Sequence, residues 1–149
     1  MLTEVLGGVL LLVALVGLCL VVRRVRLIRG GGVDVSLRRS HPGSRSRSPG
    51  PDGWHDGVGR YRGDELAWFR LVSLWPGPTV VVDRTVLEIV DRRPPSPAEA
   101  DALPVAGVVL RCHTPAGALE LAMAPGVLTG FLAWLEATPP GRTGYRQAS

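Results

Sequence analysis

The chain has 149 residues, with 17 arginines, no lysine, 13 acids, two cysteines and a formal net charge of +4. That length suits one folded domain and not two, and 46% hydrophobic content beside 32 glycines and prolines excludes both a collagen-like and a wholly disordered polypeptide. Arginine without lysine, and no asparagine at all, is the usage of a GC-rich bacterial coding bias, so the basic balance by itself argues for no particular partner.

After a short N-terminal end, residues 1–4, Val5 to Val22 is a run of 18 residues without a charge. As an α-helix rising ~1.5 Å per residue it reaches about 27 Å, enough to cross the hydrocarbon of a bilayer. A core helix of that length would carry a polar stripe, and this run has none. A cleaved signal peptide would have a basic leader and a small-x-small cleavage site. Here Met1 to Glu4 holds no arginine, whereas Arg23, Arg24, Arg26 and Arg29 follow the run. Cys19 only loosely resembles a lipobox cysteine, since Leu18 stands where a small residue is needed, and it reads as an apolar helix residue. Arginine after the helix and none before it predicts a single-pass plasma-membrane protein, N-terminus outside and C-terminal domain cytoplasmic. Cys112 has no partner outside the run, which fits a reducing compartment.

Residues 23–53 are predicted to be a flexible tether. Positions 23–47 hold eight arginines against one acid, Asp34, while 52–149 hold nine arginines against eleven acids, so the basic character is local. From Gly30 to Gly53 the composition is Gly, Ser, Pro and Arg, too poor in apolar surface to order itself. The membrane-proximal arginines would attract anionic lipid headgroups at about 1 kcal/mol each; the alternative is a plain topology signal on a solvated linker. Arg45-Ser46-Arg47-Ser48 lacks aromatic interleaving, and no nucleic-acid partner is expected.

From Trp54 to Ala137 short apolar runs alternate with turn residues, the pattern of a folded β-rich domain, and 138–149 read as a disordered tail. Gly57 to Arg62 and Glu65 to Leu74 flank Gly63-Asp64, which suits a two-residue type II′ hairpin turn. That register puts Arg62 opposite Glu65, with Tyr61 and Leu66 on the other face beside Trp68. The adhesion tripeptide spelled by Arg62-Gly63-Asp64 needs no explanation beyond this turn. Trp75-Pro76-Gly77-Pro78 breaks the chain. Thr79 to Val82 and Val86 to Val90 then join around Asp83-Arg84-Thr85 and complete a four-strand meander. A loop from Pro94 to Pro104, acidic at Glu99 and Asp101, leads to a second hairpin, Val105 to His113 and Ala118 to Met123, making six strands in all. Pro125 starts a last helix whose Leu128, Phe131, Leu132 and Leu135 form one apolar face. The predicted fold class is an N-terminal transmembrane α-helix plus a small mostly-β domain, a pleckstrin-homology-like barrel or a sandwich, with one C-terminal amphipathic helix.

The histidines are His41 in the tether, His55 beside Asp56, and His113 beside Cys112. Neighbours on a strand point to opposite faces, and no metal-ligand spacing, strained nucleophile turn or phosphate-binding glycine pattern occurs. No catalytic residue, metal or cofactor is therefore expected. The candidate ligand or partner face is Trp54, Arg60, Arg62, Trp68 and Arg70, guanidinium groups beside aromatic rings in one hairpin. The alternative is that the tryptophans, Trp134 on the helix included, pack in the core and the arginines lie on a solvated face.

Together with the span and its arginine-rich exit, several motifs carry a resemblance: Gly53-Trp54-His55-Asp56-Gly57-Val58, Arg60-Tyr61-Arg62-Gly63, Phe69-Arg70-Leu71, Leu87-Glu88-Ile89, Arg92-Arg93, Glu120-Leu121-Ala122-Met123 and Phe131-Leu132-Ala133-Trp134-Leu135-Glu136. The chain resembles the actinobacterial family called domain of unknown function 2550, small single-span membrane-anchored proteins. The resemblance implies that architecture and brings no activity with it. The expectation is a membrane-anchored, non-enzymatic binding or scaffold module facing the cytoplasm. Its expected partners are the bilayer, anionic lipid headgroups and an unidentified membrane or envelope protein. Two alternatives stand beside it: an accessory subunit of an envelope enzyme, drawing on His55 or Asp56, and an exported domain facing the cell wall.

Overall fold

A leucine-rich run with no proline favours one continuous helix, and in the computed structural model, which describes residues 1–40, 52–73 and 75–137, α1 (Leu2–Arg29) runs 28 residues. It continues past Val22 through all four arginines, and among the described residues it is the one helix long and apolar enough to cross a membrane by length and composition. Only Leu27 of this helix is buried. Seven strands and a helix follow: β1 (Val33–Ser40), β2 (His55–Arg62), β3 (Glu65–Arg70), β4 (Val80–Asp83), β5 (Glu88–Arg93), β6 (Val108–Thr114), β7 (Gly117–Met123) and α2 (Pro125–Glu136).

The strands form one antiparallel sheet in the order β4-β3-β2-β1-β7-β6-β5. β4 and β5 are consecutive in the chain and only four residues apart, yet they occupy opposite edges. With four residues between them, the facing strand ends Asp83 and Glu88 can stand at most about 18 Å apart. The sheet therefore curls until its two edges approach, giving a half-barrel consistent with the pleckstrin-homology-like layout, with α2 packed into the core.

Two expectations are corrected here. The tether does not run unbroken from 23 to 53. Val33–Ser40 is the central strand, pairing with β2 through Val33 to Leu37 and with β7 through Ser36 to Ser40. Its composition misled because only one face is apolar: Val35 and Leu37 enter the core while Asp34 and Arg38 point outward. The folded region therefore includes residues before Trp54, and the rest of the expected tether, 41–51, and the expected tail, 138–149, lie outside the described residues. The four-strand meander is the second correction. Asp83-Arg84-Thr85 is a corner and not a hairpin: the Asp83 carboxylate accepts from Thr85 N (2.8 Å) and Thr85 Oγ1 (2.6 Å), and the chain leaves one edge of the sheet for the other. β5 then pairs with β6 instead of β4. The expected hairpins β2–β3 and β6–β7 are present, with Arg62 opposite Glu65 and Thr114 opposite Gly117. Gly63 takes φ 60° and Asp64 does not have positive φ, as a type II′ turn requires.

Inside the curl lie Val35, Leu37, Leu66, Trp68, Leu110, Leu121 and Met123, joined by Leu128 and Phe131 of α2. Trp68 is 1% exposed and its Nε1 donates to Val35 O at 2.8 Å. Gly57 makes this possible, since a Cβ there would fall on the indole ring. At the far end of the hairpin α2 is pinned by Trp134, whose Nε1 donates to Gly63 O at 2.8 Å and whose ring lies 5.2 Å from Tyr61. Arg84 ties the same corner together, donating to Asp64 Oδ1 (2.6 Å) and to Trp134 O (2.6 Å). Asp64 of the adhesion-like tripeptide is thus held by a structural arginine.

Candidate functional site

The register of the β2–β3 hairpin decides which of its residues can act together. Arg60 faces Ala67 and Arg62 faces Glu65, on the outer face of the sheet; Trp68 faces Gly59 and Arg70 faces Gly57, on the inner face. The five residues of the expected binding face are therefore divided. Trp68 is core. Arg60 Nη2 donates to Gly30 O at 3.1 Å and so serves the turn after α1. Arg62 is exposed and Arg70 half-buried on the opposite side. Trp54 stands elsewhere, stacked under the Arg38 guanidinium at 4.6 Å and donating from Nε1 to Glu99 Oε1 at 3.2 Å. Strand pairing alone could have separated them, because paired residue numbers here sum to an odd value and even positions on the two strands must face opposite ways.

The Trp54 contact leads to the densest polar assembly among the described residues. β1 presents Arg38, β7 Glu120, β6 Arg111 and β5 Arg93 on the outer face, and the loop after β5 folds back to place Glu99 over them. Glu99 and Glu120 are 0% and 3% exposed. Arg93 Nη1 binds Glu99 Oε2 at 2.7 Å and Arg93 Nη2 reaches Glu120 Oε1 at 3.3 Å. Arg38 Nη2 pairs with Glu99 Oε1 at 3.1 Å and also with Glu120 Oε2, to which Arg38 Nε donates at 2.7 Å. Ser96 N donates to Glu99 Oε2 at 2.9 Å, and Arg111 Nε stands 3.8 Å from Glu120 Oε1. Burial would push the Glu99 carboxyl up, but hydrogen bonds from Arg93, Ser96 N and Trp54 outweigh it and hold the carboxyl at about 2. Leu103 closes the loop over Val109 and Ala122. This network is saturated with partners, so it fastens the loop and presents no free group to a ligand. Sequence reading missed it; the signal was Glu120, a lone charge inside the apolar strand Gly117–Met123.

Two depressions flank α1 where it crosses the outer face. One, of about 460 Å³, is lined by Arg24, Asp34, Ser36, Asp56, Asp101 and Leu103 among others. Ser36 Oγ donates to Asp56 Oδ1 at 2.9 Å, so the carboxylate beside His55 has a local partner. The other, a groove of about 610 Å³, runs between α1 and the β3–β4 loop. Membrane-proximal Arg24 lies in the first and Arg23 and Arg26 in the second, while Arg29 sits in the last turn of α1. Among the described residues no group of three His, Cys, Asp or Glu is placed to hold a metal ion. Cys112 is fully buried, which pushes its thiol up to about 12 and leaves it unreactive, and His113 points away from it into solvent.

No solved structure matches the chain significantly. Uncharacterized proteins of Mycobacterium tuberculosis (strain CDC 1551 / Oshkosh) and Mycobacterium leprae (strain TN) are 36% and 35% identical to it over 145 residues, 93% of this chain and 95% of each relative. The family described as protein of unknown function (DUF2550) matches residues 9–141. With a match over most of its length and relatives aligned nearly end to end, the chain belongs to the DUF2550 family.

Proposed function

We propose that this protein is a membrane-anchored, non-enzymatic binding module: α1 crosses the plasma membrane once, and the half-barrel is held against the cytoplasmic surface to capture a membrane or envelope protein. The observation that carries the reading is the state of α1. Its apolar stretch is left unburied by the protein's own core, so 18 uncharged residues that would be costly in water have no cover except lipid. The arginines follow the run and none precedes it, which supports a cytoplasmic domain. The depression where Arg24, Ser36, Asp56 and Asp101 stand beside Leu71, Leu103 and Val127 is the concave surface offered to a partner, and the polar groups of the Arg–Glu network are already committed to one another.

The test is to fuse a fluorescent protein and, separately, an export-dependent phosphatase after Ser149 and to read which is active in bacterial cells. Fluorescence without phosphatase activity, in a chain that stays with membranes through an alkaline wash, is the expected result. Phosphatase activity would move the domain outside, to a cell-wall-facing role, and a chain released by the wash would overturn the anchor itself.

A further inference from the structure

The second flank of α1 differs chemically from the first. After the helix the chain reverses at Gly30–Gly32, where Gly32 N donates to Leu27 O at 3.2 Å, so α1 lies back along the sheet with Leu27 on Val58, Ala67 and Phe69. Read from Leu27 toward its N-terminus, the helix passes the end of β3 and then the β3–β4 loop, and the groove walls record that path: Leu15, Leu18, Val22, Arg23 and Arg26 on one side, Ser73 and Pro76 on the other. Leu15 to Leu27 covers about 18 Å of helix axis. The loop therefore lies alongside the C-terminal part of the uncharged run, from Leu15 to Val22.

Three observations there have no use inside the molecule. Val72 is 73% exposed and Trp75 69% exposed on one short loop, beside a helix whose own apolar side chains are also uncovered. Arg23 Nη2 is shut off from solvent yet has no hydrogen-bond partner among the described residues. The groove is graded along its length, from Leu15, Leu18 and Val22 to Arg23 and Arg26. Tryptophan favours the boundary between headgroups and acyl chains, and guanidinium groups at a helix end pair with phosphate.

Resting on the membrane-anchored reading, we propose that the β3–β4 loop is a second membrane contact, in which Val72 and Trp75 enter the lipid interface beside α1 and Arg23 with Arg26 bind the phosphate of a phospholipid seated in the groove. A lipid is the occupant that matches the gradient: its acyl chain lies along Leu15, Leu18 and Val22, and its phosphate meets the two guanidinium groups. The contact would fix the tilt of the half-barrel, because α1 alone is a single attachment about which the domain could turn.

The experiment uses the full chain in phosphatidylcholine vesicles containing a fraction of phosphatidylglycerol brominated near the top of its acyl chain, with tryptophan emission as the readout. Quenching is expected in the wild type and should be largely lost in Trp75→Phe, a change at an exposed side chain. In Arg23→Gln/Arg26→Gln, the preference for brominated phosphatidylglycerol should fall about fivefold for each arginine. Labelling of Cys19 by a membrane-impermeant maleimide is measured in the same vesicles, Cys112 being buried. If Cys19 is protected and Trp75→Phe leaves the quenching unchanged, the loop contact is wrong while the anchor stands. If the double arginine variant keeps the wild-type lipid preference, the phosphate assignment is wrong. If Cys19 is labelled freely, the span fails and the loop contact fails with it.

Discussion

The outer face of the curled sheet is covered in two places by opposite chemistry. Over β1, β7 and β5 it carries Arg38, Glu120 and Arg93, and the loop after β5 closes it by inserting Glu99. Over β2 and β3 it carries Val58, Ala67 and Phe69, and α1 closes it with Leu27. The ionic covering leaves its two carboxylates fully paired and is sealed. The apolar covering is narrower than the helix that makes it, and leaves a groove, an unsatisfied guanidinium nitrogen and an exposed loop at its margin. A region whose polar groups are all used is structural, and a region with groups left over is where an outside partner fits. That difference fits the first covering to stability and makes the second the place of the proposed membrane contact.

The comparison breaks most readily at Glu99. Glu99→Ala leaves the half-buried Arg38 and Arg93 with Glu120 as their shared partner and should cost about 3–5 kcal/mol, read by denaturant unfolding of the full chain in nanodiscs. A loss under about 1 kcal/mol would mean the loop is held by Leu103 and Trp54 alone. The same covering should respond to acid. The Glu99 carboxyl is held at about 2 against an ordinary 4.5, so its contribution is fully present above 4.5 and is lost as pH falls through about 2. That is roughly 3 kcal/mol. Glu99→Gln should flatten this part of the pH profile; an unchanged acid limb would place the titration elsewhere. The apolar covering should show no such pH response: Leu27→Ala is expected to cost about 2 kcal/mol with the same value at pH 7 and pH 4.

Smaller effects sharpen the boundary between these coverings and the rest. Trp134→Phe removes the bond to Gly63 O and weakens the stacking with Arg84, and should cost about 1–2 kcal/mol in the same unfolding assay. Arg62→Ala changes an exposed side chain opposite Glu65 and should stay within about 0.5 kcal/mol. A larger loss there would show that the outer face of β2 is engaged with something further.

Much of the fold was legible in the chain. The uncharged run marked α1, Gly63-Asp64 and the break between His113 and Ala118 marked two hairpins, and Pro125 with Leu128 and Phe131 marked α2 and its buried face. These signals are local: a turn, a cap or a period is set by residues within a few positions of one another. β1 was missed because Arg38, Arg39 and the neighbouring glycines look solvated, and nothing nearby in sequence shows that Glu120 and Glu99 will meet Arg38. The candidate face was misjudged for a related reason. Trp68 and Arg60 share a hairpin, but the pleat sends one inward and the other outward.

The sequence by itself determined the kind of protein this is: one long apolar helix with its arginines at one end, a small β-rich domain, a helix to close it, and membership of its family. Only the tertiary structure decided that β4 and β5 take opposite edges, that Val33–Ser40 joins the two halves of the sheet, and that the arginines divide between a sealed ionic network and an open groove. Strand order and burial of charge are settled by closing the sheet on itself, which brings together residues more than 60 positions apart, such as Arg38 with Glu99 and Glu120. No local pattern encodes such a meeting; it follows from the curl that lets each buried carboxylate find its guanidinium partners.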